Sequence, residues 1–195
     1  MSNSSDNPKD FLISPVDVKI HQDWTFVVQR ARILIEQSKI KNTEIQPYGN
    51  STFYHIGALG SVSQHHISEN WHYVIGPWTN KYLPWLNQMM TDMAELEPRY
   101  AISIMIGDGA EHVDFVDVPT AFNYPITTTD AFTYVNYQDH EYGYSSLEDQ
   151  PWILNTQYPH GVRNNELRLV FNLHFGQPYQ QVKKWFDQNP NLVYN

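Results

Sequence analysis

The segment Leu167–Phe175 (LRLVFNLHF) constrains the fold more than any other part of the chain. Leu167, Leu169, Phe171, Leu173 and Phe175 share one face, and Arg168, Val170, Asn172 and His174 share the other. A period of two is that of a β-strand, whose successive side chains point to opposite sides. This strand closes a series of short β-like segments. The series runs through Tyr100–Ile106 (YAISIMI), ended by Gly107-Asp108-Gly109, then Glu111–Asp114, Thr120–Ile126 and Ala131–Tyr137. After a polar, aromatic loop at Gln138–Gln150 come Trp152–Asn155 and His160–Arg163, then a turn at Asn164-Asn165. Many short strands at this spacing predict a mainly β sandwich or jelly roll.

The first hundred residues read differently. Trp24–Gln37 places Val27, Val28, Ala31, Leu34 and Ile35 at helical spacing. A second helix is expected from Pro84, whose fixed φ suits a first helical turn, with Trp85, Leu86, Met89, Met90 and Met93 forming a core stripe. Residues 42–80 are rich in Gly, Asn, Ser and aromatics, and read as short strands and loops. Tyr179–Phe186 reads as a short helix over a sheet face, and Met1–Asp10 as a frayed polar tail. The 195 residues suffice for one buried core. The expected organisation is a single domain, 1–195, with supporting helices and loops in 1–99, the β core in 100–176 and a C-terminal helix and tail in 177–195.

The formal net charge of −9 repels phosphate backbones and disfavours nucleic acid as a partner. With no cysteine, disulfides, zinc-thiolate sites and thiol nucleophiles are excluded, so any metal must be held by nitrogen and oxygen. No stretch approaches the roughly 20 apolar residues of a bilayer span, and the N-terminus lacks the pattern of a secretory signal. A cytoplasmic protein with no membrane partner is expected.

Nine histidines invite a search for metal spacing. The useful set is His112-Val113-Asp114 with His160. On a strand, His112 and Asp114 face one point, and a His from a later strand completes two nitrogens and one oxygen on one face of an octahedron. A site that leaves three positions open suits oxygen chemistry rather than metal storage. His-x-Asp alone is common by chance, and an Arg on a strand more often faces solvent. Across a tight Asn164-Asn165 hairpin from a metal-binding His160, however, Arg168 sits where it could clamp a carboxylate in bidentate fashion. His65-His66 lies in a polar loop, and His21, His55, His72 and His140 have no partner at ligand spacing.

The ordered set His112-x-Asp114, Ala121-Phe122-Asn123-Tyr124-Pro125-Ile126, Asn155-Thr156, Pro159-His160-Gly161-Val162-Arg163-Asn164 and Arg168 resembles the Fe(II)/2-oxoglutarate-dependent dioxygenase superfamily. The likeness is greatest to its small prolyl-hydroxylase-like and aspartyl/asparaginyl-hydroxylase-like members, and it covers residues 100–176. The resemblance implies a double-stranded β-helix (jelly roll) with supporting N-terminal helices and a short C-terminal helix. It implies Fe(II) held by His112, Asp114 and His160, with Arg168 binding the distal carboxylate of the cosubstrate 2-oxoglutarate and Asn123 a second contact. The activity implied is hydroxylation of an unactivated C–H bond, of a peptidyl residue or an amino acid, with release of succinate and CO2. Such prolyl hydroxylases often carry a Tyr on the strand before His-x-Asp, where this chain offers Ser103 and Met105. Asn172 and His174 either line the pocket deeper in or form a packed, hydrogen-bonded core pair.

Two other readings stand beside this one. A cupin-like or degenerate protein on the same barrel would hold a metal or small acid without turnover; His160-Gly161-Val162-Arg163-Asn164 fits part of that pattern, while His112-Val113-Asp114 followed by Asp117 fits it poorly. A zinc hydrolase would need a general base, for which Asp117 or Glu111 is the nearby candidate. The loop Gln138–Gln150 and segment 48–78 are expected to shape the mouth of the site, whose partner is a small-molecule or peptide substrate.

Overall fold

The computed structural model describes residues 7–29, 32–33, 47–48, 51–56, 62–63, 83–106, 108–146 and 150–195. Its strands are β1 (Ile13–Pro15), β2 (Val18–Ile20), β3 (Pro47–Tyr48), β4 (Ser51–Ile56), β5 (Val62–Ser63), β6 (Pro98–Ile106) and β7 (Gly109–His112). They continue as β8 (Thr120–Pro125), β9 (Phe132–Tyr137), β10 (His140–Ser145), β11 (Trp152–Asn155), β12 (His160–Arg163), β13 (Leu167–Phe175) and β14 (Leu192–Tyr194). Among the described residues the helices α1 (Lys9–Leu12), α2 (Leu86–Asp92) and α3 (Tyr179–Gln188) accompany them, and residues 25–29 and 32–33 are also helical.

A major sheet has the order β1-β11-β8-β13-β6-β4-β3, with β5 beside β4, and a minor sheet the order β10-β9-β12-β7. Both are antiparallel throughout. From β6 to β13 the chain winds between the two sheets, and only β9 and β10 are consecutive within one. That winding is the double-stranded β-helix, a jelly roll.

The alternation of β13 decides which side of the major sheet is apolar and which carries polar groups. Leu169, Phe171, Leu173 and Phe175 are fully buried in a cluster with Leu86, Met89 and Met93 around α2 and Val182, Trp185 and Phe186 from α3. Each helix presents one stripe at three- and four-residue spacing. Phe186 stacks on Phe122 of β8 with ring centroids 5.8 Å apart, and Trp85 meets Phe171 edge-on at 5.2 Å. The opposite face of β13, with Arg168 and Asn172, looks into the barrel, where Leu12, Ile13, Val135, Tyr144 and Leu154 form a second, smaller cluster.

Several sequence expectations are corrected here. Asn164-Asn165 is not a hairpin: β12 belongs to the minor sheet and β13 to the major one, so the turn crosses between sheets. It is fixed by Asn164, whose Nδ2 donates to the Glu166 carbonyl at 2.6 Å and whose backbone N–H donates to Asp108 Oδ1 at 2.8 Å. The polar stretch Gln138–Gln150 contains strand β10, paired along its whole length with β9. Lys9 and Asp10 lie in α1 rather than in a frayed tail. The strand expected at Glu111–Asp114 ends at His112. Of the helix expected at Trp24–Gln37, residues 25–29 and 32–33 are helical and the remainder lies outside the described residues, as does most of the region 42–80 with His65, His66 and His72.

Candidate metal centre

His160 opens β12 in register with His112 of β7 on one side and Val135 of β9 on the other. This places the two imidazoles on the same inward face, with ring centroids 4.3 Å apart. Asp114 lies just past the end of β7, in a loop held from behind: its N–H donates to the Thr156 carbonyl at 3.0 Å. Asp114 Oδ1 then stands 3.4 Å from His112 Nε2 and 3.8 Å from His160 Nε2. Among the described residues these three form one group whose ligand atoms all lie within 4.8 Å of one another.

The protonation states suit a divalent cation. Burial pushes the Asp114 carboxyl up, but the hydrogen bond to His112 and the charges of His160, His174 and His112 outweigh it, holding the group below its ordinary value. His160 is pushed down by burial and by the neighbouring His112, which keeps its imidazole neutral. Its Nδ1 lies 2.9 Å from the Tyr158 carbonyl, which can only accept, so Nε2 is left with a lone pair facing Asp114. Tyr158 is fixed in turn by aromatic contacts to Phe11 of α1 and Tyr137 of β9, with ring centroids 6.2 and 5.6 Å away. Two imidazoles and one carboxylate are the donor set of non-haem iron sites with open positions.

Arg168 lies on the same barrel interior and is only 5% exposed. Its Nη2 donates to Thr133 Oγ1 at 3.1 Å and its Nε to Ser146 Oγ at 3.4 Å, both neutral hydroxyls. Among the described residues no carboxylate pairs with it. Burial pushes its pKa down, yet guanidinium remains protonated throughout the working range. Tyr144 of β10 stands beside it, stacked on Trp152 at 4.8 Å, with its buried hydroxyl close to Arg168, Thr133 and Asn123. Burial raises the Tyr144 pKa, keeping the phenol neutral and available as a donor. A buried cation flanked by neutral hydroxyls is the complement of a carboxylate.

Asn172 and Asn123 face each other in register across β13 and β8, and Asn172 Nδ2 donates to Asn123 Oδ1. Ser103 Oγ on β6 donates to Asn172 Oδ1, so three adjacent strands carry a hydrogen-bonded row across the barrel interior. Tyr144, Thr133 and Ser146 line the Arg168 end, and none of them was singled out from the sequence. The period-two run Tyr142, Tyr144, Ser146 in the stretch read as a loop was the available signal. The bases considered for a hydrolase are engaged elsewhere. Asp117 is 61% exposed, 3.5 Å from Arg99 Nη1, and Glu111 accepts from Asn136 on the outer face of the minor sheet.

No protein-family model matches the sequence, and no curated protein matches it. Among solved structures the chain is similar to a prolyl hydroxylase from Trichoplax adhaerens in complex with a hypoxia inducible factor oxygen degradation domain peptide fragment. Identity is 12%, coverage is 91% of this chain and 87% of that one, and the TM-score is 0.53. A prolyl-4-hydroxylase from Pseudomonas putida matches at 11% identity, 75% and 85% coverage and TM-score 0.41. An oxidoreductase of the 2OG-Fe(II) oxygenase family from Burkholderia pseudomallei matches at 15%, 78% and 81%, and 0.44. The likeness to the Trichoplax structure is one of fold: this chain has the double-stranded β-helix architecture found in that hydroxylase.

Proposed function

We propose that this protein is an Fe(II)- and 2-oxoglutarate-dependent oxygenase that hydroxylates an unactivated C–H bond. The observation that carries the reading is Arg168, a buried guanidinium with no acidic partner among the described residues, set inside the same barrel as a two-histidine, one-aspartate donor set. A simple metal-binding site would have no use for an uncompensated interior cation, whereas a dianionic oxoacid needs one at its far end.

His112, Asp114 and His160 would hold the iron, and the donor set fits it. Arg168 would pair with the distal carboxylate of 2-oxoglutarate, Tyr144 would donate its hydroxyl to the same group, and Asn123 would bound the pocket between them. Bound Fe(II) and 2-oxoglutarate together supply the oxidative step, in which O2 is consumed, the oxoacid becomes succinate and CO2, and one oxygen atom enters the substrate C–H bond. The chain contributes position and charge: Thr133 and Ser146 orient the guanidinium, the Tyr158 carbonyl orients His160, and the Thr156 carbonyl anchors Asp114. The closed apolar packing of Val135, Tyr144 and Leu154 excludes water from the pocket floor.

Anaerobic addition of Fe(II) and 2-oxoglutarate to the purified protein tests the reading. A visible charge-transfer band is expected, absent in His112→Ala, with succinate released once oxygen is admitted. Folded wild-type protein that gives neither band nor succinate contradicts the proposal; a band without succinate identifies a binder on the same barrel.

A further inference from the structure

Among the described residues two arginines, Arg168 and Arg99, face inward from the major sheet, and the oxygenase reading uses only the first. His174 shares the inward face of Arg168 and Asn172 on β13, and Arg99 of β6 stands directly opposite His174 in the ladder, on the same face. Arg99 Nη1 reaches across to Asp117 Oδ2, 3.5 Å away in the loop that follows β7 of the minor sheet, which only an inward-pointing side chain can do. Along β13, His174 lies six residues from Arg168, roughly 20 Å at about 3.4 Å each. Arg99 therefore stands at the opposite end of the barrel interior, beyond the span of a five-carbon diacid held at Arg168.

That end lies beside the opening of the metal group. The side chains of His160, Asp114 and His112 are 8%, 15% and 35% exposed, so the group opens on the side of His112, where the loop 113–119 begins. Arg99, 30% exposed, meets that loop at Asp117. His174 is a neighbour of both. Burial pushes its pKa down, Asp114 pulls it up, and Arg99 and His112 add to the fall, so the ring lies within reach of the ligands and of the guanidinium alike. The loop does not depend on Arg99 for its place. The Asp114 N–H donates to the Thr156 carbonyl at 3.0 Å, and Thr156 donates its own N–H to the Pro119 carbonyl at 3.1 Å and its hydroxyl to the Val118 carbonyl at 2.7 Å. The Arg99–Asp117 pair is long, its aspartate is 61% exposed, and a pair of this kind contributes little. A planar carboxylate would offer the guanidinium two parallel hydrogen bonds instead. The net charge of −9 disfavours a doubly charged phosphate in the same place.

We propose that Arg99 determines substrate specificity by holding a carboxylate of the substrate, which takes the place of Asp117 on the guanidinium while the reacting C–H bond faces the metal group. The proposal rests on the oxygenase reading and adds the charge that its substrate carries. Matched acid and amide probes test it. N-acetyl amino acids are paired with their amides, and end-blocked 12-residue peptides carrying Asp and Glu are paired with peptides carrying Asn and Gln, which separates a free acid from a side-chain carboxylate. Succinate formed with Fe(II), 2-oxoglutarate and O2 is read against the rate without probe. The best acid is expected to stimulate at least tenfold more than its amide. For that acid, Arg99→Gln should raise KM at least tenfold and Arg99→Lys by less. Asp117→Asn should lower KM at least twofold, because it frees the guanidinium. An arginine that merely straps the loop would give Arg99→Gln and Asp117→Asn the same loss, with Mn(II) affinity falling alongside. Equal stimulation by acids and amides, stimulation by neither, or the two variants moving KM in the same direction overturns the proposal. Calorimetric titration of wild-type protein with 2-oxoglutarate separates the failures. Uptake with indifferent probes removes the role of Arg99 alone, and no uptake removes the oxygenase reading with it.

Discussion

Arg168 holds a full charge at only 5% exposure, and its hydrogen-bond partners among the described residues are hydroxyls. Such a group lowers stability until a carboxylate arrives, and truncating one member of a buried ion pair costs about 3–5 kcal/mol. Arg168→Met is therefore expected to act in opposite directions in two measurements. The affinity for 2-oxoglutarate should fall by roughly two to three orders of magnitude, with Mn(II) affinity changed far less. The protein without 2-oxoglutarate should melt several degrees higher, since an apolar side chain of similar volume removes the desolvated charge. Calorimetric titration and thermal melting read the two effects; a lower melting temperature would mean that the guanidinium is structural. His174 supplies a second residue-scale test. Burial pushes its pKa below the ordinary value, against the pull of Asp114 and with the push of Arg99 and His112. The folded state then binds fewer protons than the unfolded one, so this contribution to stability is complete above about pH 6.5 and is lost as pH falls through the folded-state pKa. In metal-free protein, urea midpoints between pH 5 and 7.5 should decline more steeply for wild type than for His174→Asn. Parallel curves for the two would show that His174 does not titrate differently on folding.

At the scale of elements, strands whose two faces meet different surroundings were legible, because burial forces the period of two. β13, β8, β11 and β12 lie where their alternation and turn residues put them. β10 was not, for two physical reasons. It is an edge strand of the minor sheet with mostly exposed or partly exposed side chains, so its sequence HEYGYS carries little apolar alternation. Its hairpin also turns through Gln138 and Asp139 at φ of 50° and 61°, without the Asn-Gly pair that announces such a turn. The sheet to which each strand belongs was equally hidden, since Asn164-Asn165 announces a turn but not its destination. For the site, this means that the grouping of His112, Asp114 and His160 could be read from residue type and order, while the company of Tyr144, Thr133 and Ser146 around Arg168 depended on a pairing that only the fold reveals. Gly143 ties β10 to that pocket. A Cβ there would lie 2.2 Å from the Thr133 carbonyl oxygen and 2.7 Å from the Phe132 ring. Gly143→Ala must therefore push β10 from β9, displacing both Thr133 and its register partner Tyr144 from Arg168. A stability loss of about 1–3 kcal/mol is expected from denaturant unfolding, together with weaker 2-oxoglutarate binding in the protein that remains folded. Unchanged affinity would indicate that Tyr144 and Thr133 do not touch the cosubstrate.

Across the whole molecule, the two faces of the major sheet divide stability from chemistry. Outside it, α2 and α3 bury the apolar sides of β8 and β13, and β14 pairs in parallel with β2, tying the C-terminal end back to the N-terminal region. Inside it lie Arg168, Asn172 and Asn123, facing the minor sheet that carries His112 and His160. Phe186 belongs wholly to the outer layer, packed between Phe122 at 5.8 Å and Phe175 at 6.3 Å. Removing its ring leaves a cavity at the centre of the larger core, at about 3–5 kcal/mol for a Phe→Ala change. For a chain of this length that corresponds to roughly 10 °C in melting temperature. The strands beneath Phe186 are the ones that present the polar row on their other side, so the outcome for the site measures how rigid the sheet is. The hydrogen bonds linking Ser103, Asn172 and Asn123 across β6, β13 and β8 are independent of α3. Phe186→Ala, assayed at a temperature where it is fully folded, should therefore bind Mn(II) and 2-oxoglutarate within about twofold of wild type while melting far lower. A fall in cosubstrate affinity parallel to the fall in melting temperature would show instead that the outer packing sets the positions of Asn123 and Arg168 through the sheet.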